Sequence, residues 1–158
     1  MRRPVIFPLS NPTDRAEATP ENLIAWTEGR AVVGTGSPFP PIKRNGHEVR
    51  VDQTNNAYVY PGIGLGAIAV DARRISDAMF LAAARTIADR SPAKRDPSAN
   101  LLPPLTALRS LSFEVAVAVA RQAVSEGLTG AMSGDAVIAA VKAKMWEPVY
   151  ADYERIRN

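Results

Sequence analysis

The sequence predicts an α/β fold in which a few short parallel strands are followed mostly by helices. Three features carry this prediction: an apolar run at Pro4–Phe7, a second at Ala31–Val33, and a nearly continuous helical pattern from Pro61 onward. Two parallel strands with open hydrogen-bonding edges seldom stand alone. We therefore interpret the chain as the end of an α/β domain and expect its first half to be absent.

Length and composition fit one globular domain. The chain has 158 residues, of which 46% are hydrophobic and 22% charged, enough apolar content for a buried core. No run approaches the ~20 apolar residues needed to cross a bilayer, so we expect no membrane association. The absence of cysteine excludes disulfides, thiol nucleophiles and cysteine zinc sites, and it favours a cytoplasmic location.

Charge does not indicate a nucleic-acid partner. The chain has 19 basic and 16 acidic residues, a formal net charge of +3. The basic residues are scattered and their densest runs are pairs without interleaved aromatics, whereas nucleic-acid surfaces concentrate positive charge. We expect a solvated surface and no nucleic-acid binding.

The first part of the chain contains short elements joined by turns. A turn-rich segment, 8–13, follows the first strand at 4–7. Thr19-Pro20-Glu21 is typical of a helix start, with Leu23 and Trp26 on the buried face and Gly29 at the end.

A second strand and a hairpin are expected before the helical part. The strand is predicted at 31–33, and Asn45-Gly46, flanked by Ile42 and Val49, resembles a two-residue hairpin turn. We place this strand and loop part at residues 1–72.

The part from 73 to 158 is predicted to be mostly helical. Just before this part, a helix is expected to begin at Pro61 and run to Ala69. Ser76 is expected to cap the next helix. A proline-rich connector, 90–104, leads to the most apolar helix, 110–126, which lacks a polar face and is expected to be buried on more than one side.

The chain is then expected to close with one more helix and a packed tail. Gly127 ends the apolar helix, and a last helix over 133–145 is capped by Ser133. The aromatic tail at 145–150 is expected to dock.

A glycine run is the first candidate motif. Gly64-Leu-Gly-Ala-Ile-Ala69 fits a GxGxxA pattern, which in dinucleotide-binding proteins forms a strand-to-helix turn against the pyrophosphate. Here only Ala57–Tyr60 precedes it, and no acid-bearing second strand follows. We favour the alternative that these glycines allow a helix to pack closely against a neighbour or a ligand.

Two asparagine positions are the candidate ligand-binding residues. Asn11 follows the first strand at its carboxyl end, where open α/β sheets bind ligands, although an Asn-Pro pair is also a common turn. Asn55 and Asn56 precede a helix and could bind a polar ligand or cap the chain. From spacing alone, the turn and capping interpretations lead.

No complete catalytic constellation is visible. His47 is the one histidine, which excludes a site with several histidines, and the acidic residues are dispersed over different elements. Because His47 falls in the expected hairpin turn, a histidine-based triad is excluded as well.

The ordered motifs together resemble the C-terminal part of malic enzyme, in the large-subunit class. Five strings carry the resemblance and follow the family's order: Arg3-Pro-Val-Ile-Phe-Pro-Leu-Ser-Asn-Pro-Thr13, Trp26-Thr-Glu-Gly-Arg30, Gly36-Ser-Pro-Phe39, Asn55-Asn-Ala-Tyr-Val-Tyr-Pro-Gly-Ile-Gly-Leu-Gly66 and Ala72-Arg-Arg-Ile-Ser-Asp-Ala-Met-Phe-Leu-Ala-Ala83. The resemblance implies the C-terminal portion of a Rossmann-like NAD(P)-binding domain.

The resemblance also implies an activity and site residues. Malic enzymes convert malate to pyruvate and carbon dioxide with reduction of NAD or NADP, using Mg or Mn. The family's SNPT asparagine, which contacts substrate and lies by the nicotinamide, corresponds to Asn11. The first asparagine of the NNAY string contacts malate and corresponds to Asn55, while Asn56 is a weaker candidate.

The family's tyrosine acid, lysine base, metal-binding acids and dinucleotide fingerprint have no counterpart here. The resemblance therefore implies that the chain is inactive alone and that it works with the missing N-terminal portion in a homo-oligomer. Two other interpretations stay open: a non-catalytic helical interaction or scaffold domain, and a fragment of another 2-hydroxy-acid dehydrogenase.

Overall fold

The computed structural model describes residues 3–44 and 46–150 and shows a small parallel sheet followed by a helical bundle. The strands of this described part are β1 (Val5–Ile6), β2 (Val32–Thr35), β3 (Ile42–Arg44), β4 (His47–Val49) and β5 (Asp52–Gln53). The helices are α1 (Pro20–Trp26), α2 (Tyr60–Ala69), α3 (Asp77–Asp89), α4 (Leu108–Ser125) and α5 (Gly134–Lys144). The predicted α/β class is confirmed.

The parallel sheet has the strand order β1-β2-β5. Val5 pairs with Val32, and Gly34 pairs with Asp52. Sequence patterns located β1 and β2 but missed β5, because two polar residues produce no apolar run. Since all three strands run in the same direction, the segments that follow them lie at one edge of the sheet.

The predicted hairpin is present. β3 and β4 are antiparallel, with Ile42 opposite Val49. Gly46 has φ +79°, a value that glycine adopts readily in a turn, whereas Asn45 lies outside the described residues.

The expected burial of Trp26 is wrong, and β1 is more exposed than its apolar residues predict. Val5 is 57% exposed and Phe7 is 41% exposed, and β1 is the outer strand of the sheet. Trp26 is 69% exposed, whereas Leu23 is buried as predicted. Helix α1 has only seven residues and packs on β2, and Trp26 is its last residue.

Helix α4 is the centre of the hydrophobic core. It packs against α2, α3 and α5, which confirms the predicted burial on more than one side. Its buried residues recur along most of its length: Leu111, Ser112, Val115, Ala116, Val119, Ala120 and Ala123. No described helix is both long and apolar enough to span a bilayer.

Gly66 of the GxGxxA run and the nearby Gly62 allow α2 to approach α4. A Cβ atom on Gly62 would lie 2.5 Å from Val115 Cγ1, and one on Gly66 would lie 2.5 Å from the Ala116 carbonyl oxygen. Gly64 differs, because a Cβ there would meet nothing within 4 Å. A 3₁₀ turn at Asn56–Tyr58 precedes α2 instead of a strand, so the run is not a strand-to-helix phosphate loop.

Gly66→Ala is expected to lower the free energy of unfolding by about 1–3 kcal/mol, because the added methyl group overlaps the α4 backbone. Gly64→Ala is the matched control, and it should raise that free energy by roughly 0.5–1 kcal/mol through the better helix propensity of alanine. Urea unfolding followed by circular dichroism measures both changes. Equal effects of the two substitutions would contradict close packing at Gly66.

Helix ends follow the predicted capping residues. The Ser76 hydroxyl accepts a hydrogen bond from Met79 N at 3.2 Å, and the Ser133 hydroxyl accepts one from Ala136 N at 3.2 Å. Gly127, with φ +64°, follows α4 as expected.

The expected docking of the tail is wrong for its aromatic side chains. Trp146 is 73% exposed, and Tyr150 is fully exposed. The segment is held instead by Arg109, whose guanidinium donates to the Trp146 carbonyl at 2.8 Å and pairs with Glu147 at 2.8 Å. Polar contacts with the backbone, which sequence patterns do not reveal, fix this part of the tail.

Acid is expected to weaken the junction between α3 and α4. Hydrogen bonds from Gln122 and from Ser76 lower the pKa of Glu126 below its ordinary value of 4.5. A carboxyl group whose pKa is lowered by folding stabilises the fold above its unfolded pKa, and this stabilisation is lost as the pH falls through the folded pKa. Denaturant unfolding between pH 6 and pH 3 should therefore show a smaller loss of stability for Glu126→Gln than for the unmodified chain. An identical loss would contradict the role of Glu126.

Candidate functional site

The segments that follow β1, β2 and β5 are joined by hydrogen bonds at the carboxyl edge of the sheet. Gly36 N donates to the Pro8 carbonyl at 2.8 Å, and Thr54 N donates to the Thr35 carbonyl at 2.8 Å. Gln53 Nε2 donates to the Gly36 carbonyl at 3.3 Å. The edge is therefore a connected surface rather than three independent loops.

Asn11 lies on this surface and is exposed. Its Oδ1 accepts a hydrogen bond of 2.6 Å from the hydroxyl of Ser37, which is 1% exposed. Asn11 Nδ2 makes no hydrogen bond within the described part of the chain. The side chain is thus anchored through its oxygen and presents its donor group outward.

The residue before Asn11 is held from a second direction. Ser10 donates to the Glu17 carboxylate from its backbone N at 3.2 Å and from its hydroxyl at 2.9 Å. Hydrogen bonds from its own backbone amide and from Ser10 lower the pKa of Glu17. These contacts fix the loop that carries Asn11.

Asn55 follows β5 and caps the 3₁₀ turn at Asn56–Tyr58. Its Oδ1 accepts from Ala57 N at 2.9 Å, as the capping interpretation expected. The capping bond uses the oxygen alone, and Asn55 Nδ2 has no partner among the described residues. Asn55 therefore resembles Asn11 in having an anchored oxygen and an outward NH₂ group.

Asn56 is also exposed, and its side chain makes no hydrogen bond in the described part of the chain. The turn it begins is anchored by Tyr58, whose buried hydroxyl donates to the Pro103 carbonyl at 2.6 Å. Burial raises the pKa of Tyr58. Asn56 is thus placed beside Asn55 on a fixed turn, without a structural role of its own.

A buried carboxylate connects the sheet to the segment between α3 and α4. Asp52 is 2% exposed and pairs with Arg50 at 2.7 Å. It also accepts hydrogen bonds from Leu101 N at 2.7 Å, Leu102 N at 3.1 Å and Asn100 Nδ2 at 3.0 Å. Asp52 therefore joins β5, which leads into Asn55, to the connector between α3 and α4.

Sequence reasoning missed Ser37 and Asp52. Ser37 follows β2 as Asn11 follows β1, so the same rule about the carboxyl ends of strands could have found it. Asp52 lies in a strand that no apolar pattern marks, and its backbone partners Leu101 and Leu102 are about fifty residues away. Within the described ranges, no three histidine or acidic side chains come together as metal ligands.

Comparison with known proteins gives consistent matches. Residues 1–124 match the family described as "Malic enzyme, NAD binding domain". The chain is 46% identical over 153 residues to an NAD-dependent malic enzyme of Edwardsiella ictaluri and 45% identical over 153 residues to one of Pseudomonas syringae. These alignments cover 97% of the chain, which spans 27% of the length of each relative.

Solved structures show the same similarity. A crystal structure of Entamoeba histolytica malic enzyme superposes with a TM-score of 0.69 at 26% identity, covering 90% of this chain and 26% of that one. Malic enzyme from Pyrococcus horikoshii gives a TM-score of 0.65 at 30% identity, with coverages of 89% and 29%.

Proposed function

Because the chain belongs to the malic enzyme family, within its NAD-binding domain, we propose that it forms one wall of a pocket for malate and nicotinamide. The complete enzyme would oxidise malate and decarboxylate it to pyruvate and carbon dioxide, with reduction of NAD or NADP. NAD is the cofactor named for the relatives.

The proposal rests mainly on the outward amides of Asn11 and Asn55. Both side chains use their oxygen within the chain, toward Ser37 and Ala57, and leave their NH₂ groups without a protein partner in the described part. Amide NH₂ groups are donors, and the carboxylates of malate are acceptors. Two such donors at the edge where open α/β sheets bind ligands suit a small dicarboxylate. Asn56 would be a third, weaker contributor.

The nicotinamide end of the cofactor also fits this edge. Asn11 Nδ2 could donate to the carbonyl of the nicotinamide carboxamide as well as to malate. The pyrophosphate of the cofactor does not fit against the glycine run, because α4 occupies the space beside Gly62 and Gly66. When bound, the cofactor supplies the hydride acceptor, and the residues of this chain would orient the two reactants and hold them together.

A divalent metal does not fit the described residues, because they bring no three suitable ligands together. We place the ligands for Mg or Mn, the catalytic acid and the catalytic base in the portion of the enzyme that precedes this chain. The chain alone is then inactive. The exposed side chains of Val5 on β1 and of Phe7 just after it support a partner at that side. We propose that the preceding portion lies there, within a cytoplasmic homo-oligomer.

A turnover assay tests the proposed function. The full-length gene product, given malate, Mn and either NAD or NADP, should form pyruvate, whereas residues 1–158 alone should form none. Absence of pyruvate with both cofactors would contradict the proposal and favour the scaffold interpretation. Oxidation of another 2-hydroxy acid without loss of carbon dioxide would favour a different dehydrogenase.

A further inference from the structure

The orientation of the Asn11 amide is set by Ser37. The Ser37 hydroxyl lies 2.6 Å from Asn11 Oδ1 and 3.3 Å from the Ser10 carbonyl oxygen. Both of these atoms are acceptors, and the hydroxyl has a single proton. The shorter contact to Asn11 takes that proton, because a distance of 2.6 Å is typical of a strong O–H···O bond.

Ser37 cannot easily move away from this position. Its side chain is 1% exposed, and its carbonyl accepts a hydrogen bond of 2.8 Å from the buried Thr35 hydroxyl. The preceding residue, Gly36, is bound to Pro8 and lies so close to Leu9 that a Cβ atom would overlap the Leu9 backbone. The donor that faces Asn11 is therefore preorganised by the sheet.

We propose that Ser37 is a positioning residue that holds the Asn11 amide with its NH₂ group outward, so that Asn11 acts toward the ligand only as a donor. The inference rests on the proposed function, because it assigns the polarity of a contact that the function requires. The ligand group that Asn11 recognises is then an acceptor, such as a carboxylate or a carboxamide carbonyl. Without Ser37, the amide can rotate, and part of the population presents its oxygen to an anionic ligand.

A double-mutant cycle in the full-length gene product tests this role. Ser37→Ala should lower kcat/KM for malate by about tenfold, mainly through KM, since one oriented hydrogen bond is at stake. In the Asn11→Ala background, Ser37→Ala should have almost no further effect, because its target is gone. A role confined to folding would instead give the same loss in both backgrounds, and that result would overturn the inference.

Asn11→Asp tests the polarity without altering Ser37. The Ser37 hydroxyl can still donate to the new carboxylate, but the outward atom becomes an acceptor. Asn11→Asp should therefore lower kcat/KM more than Asn11→Ala does. If Asn11→Asp retains more activity than Asn11→Ala, the oxygen of Asn11 faces the ligand, and the inference is wrong.

The two failures are distinguishable. A large effect of Asn11→Ala together with a silent or additive Ser37→Ala would overturn the positioning role alone and leave the pocket intact. If Asn11→Ala has no effect on kcat/KM, Asn11 does not contact the ligand, and both proposals for this residue are wrong. Thermal unfolding of each variant identifies any loss that is due to misfolding. Ser37→Cys is compared with them because it keeps the shape of the side chain, although it is somewhat larger and only a weak donor.

Discussion

Asp52→Ala is expected to lower the free energy of unfolding by about 3–5 kcal/mol, the range seen when one partner of a buried charge network is removed. The substitution leaves two partly buried backbone donors, Leu101 N and Leu102 N, without their acceptor. Asn100 Nδ2 also loses its bond to Asp52 but keeps the Arg50 carbonyl at 2.7 Å. It also removes the ion pair of Arg50, although that side chain is 40% exposed and can reach solvent. The unpaired donors therefore account for most of the expected loss.

Urea unfolding measures this effect, and Asp89→Ala is the matched control. Asp89 also pairs with a cation, Lys94, at 2.6 Å, but on the surface. Exposed pairs contribute little to stability, so Asp89→Ala should change the unfolding free energy far less than Asp52→Ala. Similar effects at the two positions would show that the connector does not depend on the buried carboxylate.

Asn11→Ala and Asn55→Ala should each lower kcat/KM for malate by about 10- to 150-fold in the full-length enzyme. Each removes a hydrogen bond to a charged ligand, worth roughly 1.5–3 kcal/mol. Asn55→Ala also removes the cap of the 3₁₀ turn, so circular dichroism should accompany the kinetics.

Asn22→Ala is the control for both substitutions. Asn22 is an exposed asparagine on α1, and its side chain makes no hydrogen bond in the described part. Asn22→Ala should leave kcat/KM for malate unchanged. Effects of equal size on kcat/KM at all three positions would contradict ligand binding by Asn11 and Asn55 and would indicate purely structural roles for both.

Local sequence signals predicted the helical part better than the sheet. Ser76, Ser133 and Gly127 mark helix ends through short-range hydrogen bonds and backbone conformation, so their positions can be predicted from neighbouring residues. The exposure of Trp26 and Trp146 could not be predicted in this way, because it depends on which distant surfaces are present to cover them.

The site was predicted only in part for a related reason. Asn11 was found because it directly follows an apolar strand, and Asn55 because it directly precedes a helix. Spacing assigned both to local roles, and the structure confirms the capping bond of Asn55. The contact between Ser37 and Asn11 joins residues 26 positions apart, so no local pattern contains it.

A crystal structure of the full-length gene product with malate and the reduced cofactor tests the central claim most directly, because this pair cannot react further. We predict that Asn11 Nδ2 and Asn55 Nδ2 both lie at hydrogen-bonding distance, about 2.7–3.2 Å, from acceptor oxygens of malate or nicotinamide. Asn11 Oδ1 should remain on the Ser37 hydroxyl. Malate bound away from the carboxyl edge of β1, β2 and β5, with neither amide in contact, would contradict the account.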